Sequence, residues 1–274
     1  MKKRKVELVV ISDVHLGTFG CHAKELLQYL NSIKPKTLVL NGDIIDIWQF
    51  RKSYFPNSHL KIIKKIISLS TKGCKIIYVT GNHDEMLRKF SDVHLGNFSL
   101  VDKAVLELDN KKVWIFHGDI FDASITGAKW LAKLGGWGYD FIILFNRFLN
   151  FLLKKLNKQP YSLSKKIKDN VKSAVKFITN FEKTCCDLAI DKKYDFVICG
   201  HIHEPKIENV ITNKGSTTYL NSGDWVENLT ALEYNNKQWK IHTHDVNDYN
   251  YNESDIEFEY ENELVQQFTP LLHQ

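Results

Sequence analysis

The sequence predicts an α/β fold whose chemistry sits at the carboxyl ends of its strands, and three observations carry that expectation. Apolar runs alternate with helical spacing over the first part of the chain, as in a parallel sheet with helical crossovers. Five of the apolar runs exit into short stretches drawn from Asp, Asn and His, most with a neighbouring glycine. Open α/β sheets place their ligands at such exits. After residue 123 the alternation breaks, and a long aromatic and basic segment precedes the last strand-like runs.

Glu7 to Ser12 reads as a buried strand that delivers Asp13-Val14-His15. Cys21 to Ile33 has helical spacing through Leu26, Leu27, Leu30 and Ile33, closed by Lys34-Pro35. Thr37 to Leu40 is a second strand running into Asn41-Gly42-Asp43, with Asp46 beyond it. Ser58 to Thr71 is a helix with Ile62, Ile63, Ile66, Ile67 and Leu69 on its apolar side and Gly73 as its stop. Lys75 to Thr80 is a third strand, leading to Gly81-Asn82-His83-Asp84. Lys103 to Leu108 and Val113 to Phe116 flank the turn Asp109-Asn110-Lys111-Lys112, and the second of them exits at His117-Gly118-Asp119. A helix from about Ser164 to Ile190 leads back to a buried strand, Phe196 to Cys199, whose exit is Gly200-His201-Ile202-His203. Lys206 to His244 alternates with period two, which suits antiparallel strands completing a second sheet.

A chain of 274 residues with 43% hydrophobic and 25% charged residues is expected to be globular and to bury a substantial core. Its 5 cysteines form no C-x-x-C pair and lie mostly in apolar segments, as reduced thiols of a cytosolic protein would. The basic start, Met1 to Lys5, is followed only by Leu8 to Ile11, too short an apolar run for a signal peptide. Charge is uneven. From Ser124 to Lys176 eleven Lys and Arg face only Asp140 and Asp169, whereas Asp245 to Gln274 holds eight Asp and Glu and no Lys or Arg. The expected partition is therefore a core over 1–123 and 177–244, a helical, basic and aromatic cap over 124–176, and an acidic tail over 245–274. In Tyr139 to Leu156 the apolar surface is interrupted by Arg147, so that stretch suits a cap or interfacial helix and not a membrane span.

Collected, the strand exits offer Asp13, His15, Asp43, Asn82, His83, His117, His201 and His203. Carboxylate and amide oxygens mixed with imidazoles suit two divalent first-row ions such as Mn, Fe or Zn, not Ca or a thiolate site. The pairs Asp13/His15 and His201/His203 are spaced so that strand alternation puts both side chains on one side. Asp43, alone at its exit, suits a carboxylate shared by two ions.

Asp13-x-His15, Gly42-Asp43, Gly81-Asn82-His83-Asp84, His117-Gly118-Asp119 and Gly200-His201-x-His203 together resemble the motif set of the calcineurin-like metallophosphoesterases, covering about Val6 to Trp239. The resemblance implies a four-layer α/β/β/α sandwich with a dinuclear centre at the sheet edge. It implies Asp13, His15, Asp43 and His203 on one ion, and Asp43, Asn82, His117 and His201 on the other. His83 matches the family's non-ligand histidine, which contacts a phosphate oxygen or protonates the leaving group, with Asp84 beside it as the second catalytic candidate.

The order of motifs and the helical segment between His117 and His201 also resemble the UDP-2,3-diacylglucosamine hydrolases of lipid A synthesis. That resemblance implies Mn-dependent cleavage of a pyrophosphate to UMP and 2,3-diacylglucosamine 1-phosphate, by a cytoplasmic protein peripheral to the inner membrane. In those enzymes an Arg commonly follows the motif's Asn. Here it is His83, as in general phosphoesterases, which leaves another lipid, nucleotide or phosphodiester substrate as the alternative. An aromatic, apolar and basic cap favours an anionic amphiphile over nucleic acid, which would meet a more solvated groove. A metal-free scaffold would show eroded ligand positions, and all seven are filled.

Overall fold

The computed structural model describes residues 3–48, 54–121 and 164–245, with side chains of the last helix described from 178 onward. The elements are β1 (Arg4–Ile11), α1 (Ala23–Ser32), β2 (Ile33–Asn41), α2 (Asn57–Thr71), β3 (Lys75–Val79), β4 (Val93–Leu95), β5 (Phe98–Val101), β6 (Lys103–Leu108), β7 (Lys111–Phe116), α3 (Ser164–Asp191), β8 (Phe196–Cys199), β9 (Lys206–Thr212), β10 (Gly215–Asn221), β11 (Thr230–Asn235) and β12 (Gln238–Thr243). They form a seven-stranded sheet, β12-β11-β1-β2-β3-β5-β4, and a five-stranded sheet, β6-β7-β8-β10-β9. β1, β2 and β3 run parallel, as the alternation requires.

The near-continuous apolar runs follow from burial on both faces. Alternate residues of β1 divide between two clusters: Val9 and Ile11 pack with Leu26, Leu30 and Ile62 of the helices, while Leu8 and Val10 pack with Ile115, Ile198 and Leu220 of the second sheet. The two sheets therefore meet face to face, with α1 and α2 on the outer face of the first. Truncating a fully buried residue such as Leu30 to Ala is expected to cost about 2–5 kcal/mol.

The structure departs from the sequence reading in three places. β11 and β12 join the first sheet through β1, not the second, so only β9 and β10 complete the second. β4 and β5 add a hairpin beyond β3 that the sequence reading did not contain. β2 starts at Ile33 and includes Pro35. Proline is tolerated there because pairing with β3 begins only at Thr37, leaving Pro35 a partner on the β1 side alone.

The chain divides into two compact units, Met1–His117 with Ala189–Gln274, and Gly118–Leu188. Within the described part of the second, the Phe121 and Phe181 rings meet edge to face at 6.0 Å. The cap expected over 124–176 lies outside the described residues as far as 163, and the acidic tail does so from 246. Among the described residues no helix is long and apolar enough to cross a membrane. None of the five cysteines is in a disulfide, and Cys74, Cys185, Cys186 and Cys199 are buried.

Candidate metal centre

The loops leaving β1 and β2 are stitched together by their backbones. Asp13 N–H donates to the Gly42 carbonyl at 3.1 Å, and Val14 and His15 N–H both donate to the Asp43 carbonyl, at 3.0 and 2.9 Å. The exits of β7 and β8 are joined by Gly200 N–H donating to the His117 carbonyl at 3.0 Å. Gly42 and Gly81 are required by close approach. A Cβ on Gly42 would enter the His117 ring, and one on Gly81 would strike the Asp43 carboxylate.

Asp13, His15, Asp43, His201 and His203 all have left-handed backbones, with φ of 51°, 54°, 54°, 67° and 56°. That conformation costs most residues about 1–2 kcal/mol, and Asp, Asn and His adopt it more readily than other non-glycine types. Such residues concentrate at functional sites. The geometry also corrects the strand-alternation argument: β1 ends at Ile11 and β8 at Cys199, so both spaced pairs lie beyond their strands. Left-handed turns, not the pleat, bring their side chains inward.

Three overlapping groups result, each with ligand atoms within 4.8 Å of one another: Asp13, His15 and His203; Asp43, His117 and His201; and His15, Asp43 and His83. Asn82 joins the second group, its Oδ1 lying 3.2 Å from His117 Nε2. All eight exit residues collected from the sequence thus converge on one edge of the sandwich.

Further contacts orient the rings. His117 Nδ1 lies 2.9 Å from the Asn41 carbonyl and donates to it, which aims Nε2 at Asp43 Oδ2, 3.1 Å away. His203 Nδ1 faces Asp224 Oδ2 at 3.5 Å, while its Nε2 faces Asp13 at 3.2 Å. Asp224 is fixed in turn, because its Oδ1 accepts the N–H groups of Val226, Glu227 and Asn228. Asp46 takes two rings, His15 Nδ1 at 3.2 Å and His83 Nδ1 at 2.8 Å. Trp48 lies over His83 with ring centroids 4.9 Å apart.

His83 therefore finds its carboxylate in Asp46 and not in its neighbour Asp84. Asp84 points inward, where its oxygens accept Ile44 N–H, Gly81 N–H and the Tyr78 hydroxyl at 3.0, 2.6 and 2.6 Å. These three bonds tie the loop down, and the ring partner that sequence reasoning missed is Asp46. Gly42-Asp43-Ile44-Ile45-Asp46 carried that signal, a second acid one short turn past the first. Asp224 was marked only by Ser222-Gly223 before it.

Burial opposes ionisation of the acids, yet the imidazoles prevail. Burial raises the Asp13 carboxyl, but His203 and His117 hold it at about 2. Asp43 is lowered further, with burial opposed by His117, His15 and His83. Burial depresses His203, and Asp13, Asp224 and Asp43 outweigh it and lift the ring to about 9. Asp84 goes the other way, raised by burial and by the charge of Asp43.

Two carboxylates that are at most 2% exposed, Asp13 and Asp43, thus sit beside imidazoles whose inward nitrogens can give up a proton in exchange for a cation. His15 Nε2 is buried without a hydrogen-bond partner. An orphaned imidazole nitrogen, two buried acids and an amide oxygen are a donor set that fits divalent cations.

The model of the calcineurin-like phosphoesterase family matches residues 6–205, a span that contains every one of these exits. The chain belongs to that family. A calcineurin-like phosphoesterase is a metal-dependent phosphoester hydrolase, consistent with the clusters. Among relatives, it is similar to the UDP-2,3-diacylglucosamine hydrolase of Aliivibrio fischeri (strain MJ11), 25% identical over 240 residues that cover 86% of this chain and 97% of that protein. The enzyme of the same name from Vibrio cholerae (strain ATCC 39315 / El Tor Inaba N16961) is 27% identical over 249 residues, 85% of this chain and 96% of the relative. Among solved structures, an archaeal phosphodiesterase matches 86% of this chain and 98% of its own, with a TM-score of 0.43 and 16% identity.

Proposed function

We propose that this phosphoesterase hydrolyses the pyrophosphate of UDP-2,3-diacylglucosamine, giving UMP and 2,3-diacylglucosamine 1-phosphate for lipid A synthesis at the cytoplasmic face of the inner membrane. The observation that carries the reaction class is the convergence of two ligand groups, bridged through Asp43 and His15 by a third. The substrate rests on relatives of that name spanning most of both chains.

In this reading Asp13, His15, Asp43 and His203 hold one divalent ion, and Asp43, Asn82, His117 and His201 hold the other, with Mn ahead of Fe or Zn. Such ions supply Lewis-acid polarisation of a phosphoryl group and lower the pKa of water. The protein's own part is positioning. The Asn41 carbonyl, Asp46 and Asp224 fix three rings so that their second nitrogens face inward. His83 is raised above its ordinary value because Asp46 and Asp43 outweigh its burial, a direction that suits a ring that would donate a proton to a phosphate oxygen or a departing group.

A cavity of about 670 Å³ on the outer face of the first sheet supports an amphiphilic substrate. It is lined by Leu16, Ile44, Ile45, Ile66, Leu87 and Phe98, of which Leu16 follows directly on His15 and Ile44 on Asp43. Its apolar walls suit an alkyl chain and offer nothing to a second phosphate. The basic, aromatic segment 124–176 would supply the remaining contact with lipid and headgroup.

The second reading, another lipid or nucleotide phosphodiester, is favoured by His83 where the diacylglucosamine hydrolases commonly carry Arg. Mn-dependent UMP release from UDP-2,3-diacylglucosamine, measured beside cyclic nucleotides and simple diesters, separates the two. Release no faster than cleavage of a generic diester removes the lipid A assignment and leaves the reaction class standing.

A further inference from the structure

At the amino ends of β1 and β2, away from the metal centre, a cavity of about 420 Å³ is ringed by Lys3, Lys5, Lys34, Lys36, Lys65 and Lys72. Among the described residues none of the six forms an ion pair. The one acid in the lining, Glu7, already accepts Asn236 N–H at 2.9 Å. Lys65 shows the strain, pulled down to about 8 by burial and by the neighbouring Lys3 and Lys72. Ile33, Pro35 and Leu69 give the cavity an apolar wall. Six ammonium groups around a pocket with an apolar wall, and Glu7 as the one acid among the described lining residues, form a site for an anionic, partly apolar partner.

The same chain contains such a partner. From Glu253 to Glu263 every second residue is acidic: Glu253, Asp255, Glu257, Glu259, Glu261 and Glu263, with Ile256, Phe258 and Tyr260 between them. In an extended segment that spacing puts six carboxylates on one side and the apolar residues on the other. We propose that the acidic segment 253–263 docks on the lysine cavity of its own chain, carboxylates toward the lysines and Ile256, Phe258 and Tyr260 toward the apolar wall.

Reach and charge both allow it. β12 ends at Thr243, paired with Thr230 at the metal-centre end of the sheet, whereas Asn235 at the far end of β11 lines the lysine cavity. The return path is therefore about one strand length, roughly 25 Å for seven or eight residues. The thirteen residues from Asp245 to Glu257 can span up to about 40 Å. The segment 124–176 is the rival basic partner, and a second copy of the chain is the other.

The test is zero-length carbodiimide coupling of the full chain at low salt, using an equal mixture of ¹⁴N- and ¹⁵N-labelled protein, with the links mapped by mass spectrometry. The expected result is amide links within single chains between Lys36, Lys65 or Lys72 and carboxylates of 253–263. Their yield should fall several-fold as salt is raised to about 0.5 M, where exposed charges are screened. Replacing Asp255→Asn with Glu257→Gln, Glu259→Gln and Glu261→Gln leaves the folded core untouched and should raise the acetylation rate of Lys65 several-fold. Links from the segment to Lys129–Lys176, links between differently labelled chains, or no links together with an unchanged Lys65 rate would each overturn the proposal.

Discussion

At the carboxyl ends of β1 and β2, Asp13, Asp43 and Asp46 are at most 2% exposed, and each faces an imidazole within 3.2 Å. At the amino ends of the same strands, six lysines ring an open cavity, and among the described residues no acid is paired to any of them. The first end gathers opposite charges out of water, and this demands geometry. Left-handed backbones, glycines without room for a methyl group and carboxylates committed to particular ring nitrogens all serve it. The second end gathers like charges in water, which demands only solvent or a mobile counter-charge. Substitutions should therefore be severe and specific at one end, mild and salt-dependent at the other.

The largest break in that contrast is expected at Asp43, which belongs to two of the three ligand groups and accepts His83 N–H at 2.8 Å. Asp43→Ala should lose bound metal by elemental analysis and lower turnover by more than about a thousandfold, since a shared ligand and a buried acceptor go together. His83→Gln should lower kcat by about 10²–10⁴ while metal content stays at the wild-type level, the signature of a proton or charge donor. Equal metal loss in both variants would dissolve the division of roles. Asp46→Asn comes next. Because Asp46 orients both His15 and His83, metal affinity or activity should drop by about 10–100-fold, short of the loss at Asp43.

The smallest effect belongs to the lysine end. Lys65→Gln should change stability by no more than a few tenths of a kcal/mol, and in the stabilising direction. The pH dependence gives the sharper reading. With Lys65 near 8 in the folded chain against an ordinary 10.5, the unfolded chain holds a proton between those values that the folded chain lacks. In a chain truncated before the acidic segment, stability should therefore rise with pH across that window, the rise should vanish in Lys65→Gln, and restoring the docked segment should flatten it. Urea midpoints measured across the window decide it.

The strand exits were legible in the sequence because a buried parallel strand is a continuous apolar run, and its end is visible wherever Asp, Asn, His and Gly begin. Sheet membership was not. β11 alternates in the same way whether it pairs with β1 or with β10, and only the long-range register Leu8 to Tyr234 decides. The β4–β5 hairpin was hidden by its brevity, strands of three and four residues showing no period. Asp84 and Asp46 exchanged roles for a related reason. Adjacency in sequence suggested that Asp84 serves His83, whereas the Asp43 loop folds back and brings Asp46 from another strand exit.

The left-handed backbones of Asp13, His15, Asp43, His201 and His203 have a consequence for how this site can vary. The main chain there filters the amino-acid alphabet before any ligand chemistry is tested. A glutamate or cysteine could donate to a cation but would sit poorly at these φ values, and a β-branched residue worse still. Asparagine fits the same backbone and removes only the charge. A library randomised at these five positions should therefore return folded protein chiefly as Asp, Asn, His and Gly, with activity confined to a small subset of that already narrow set.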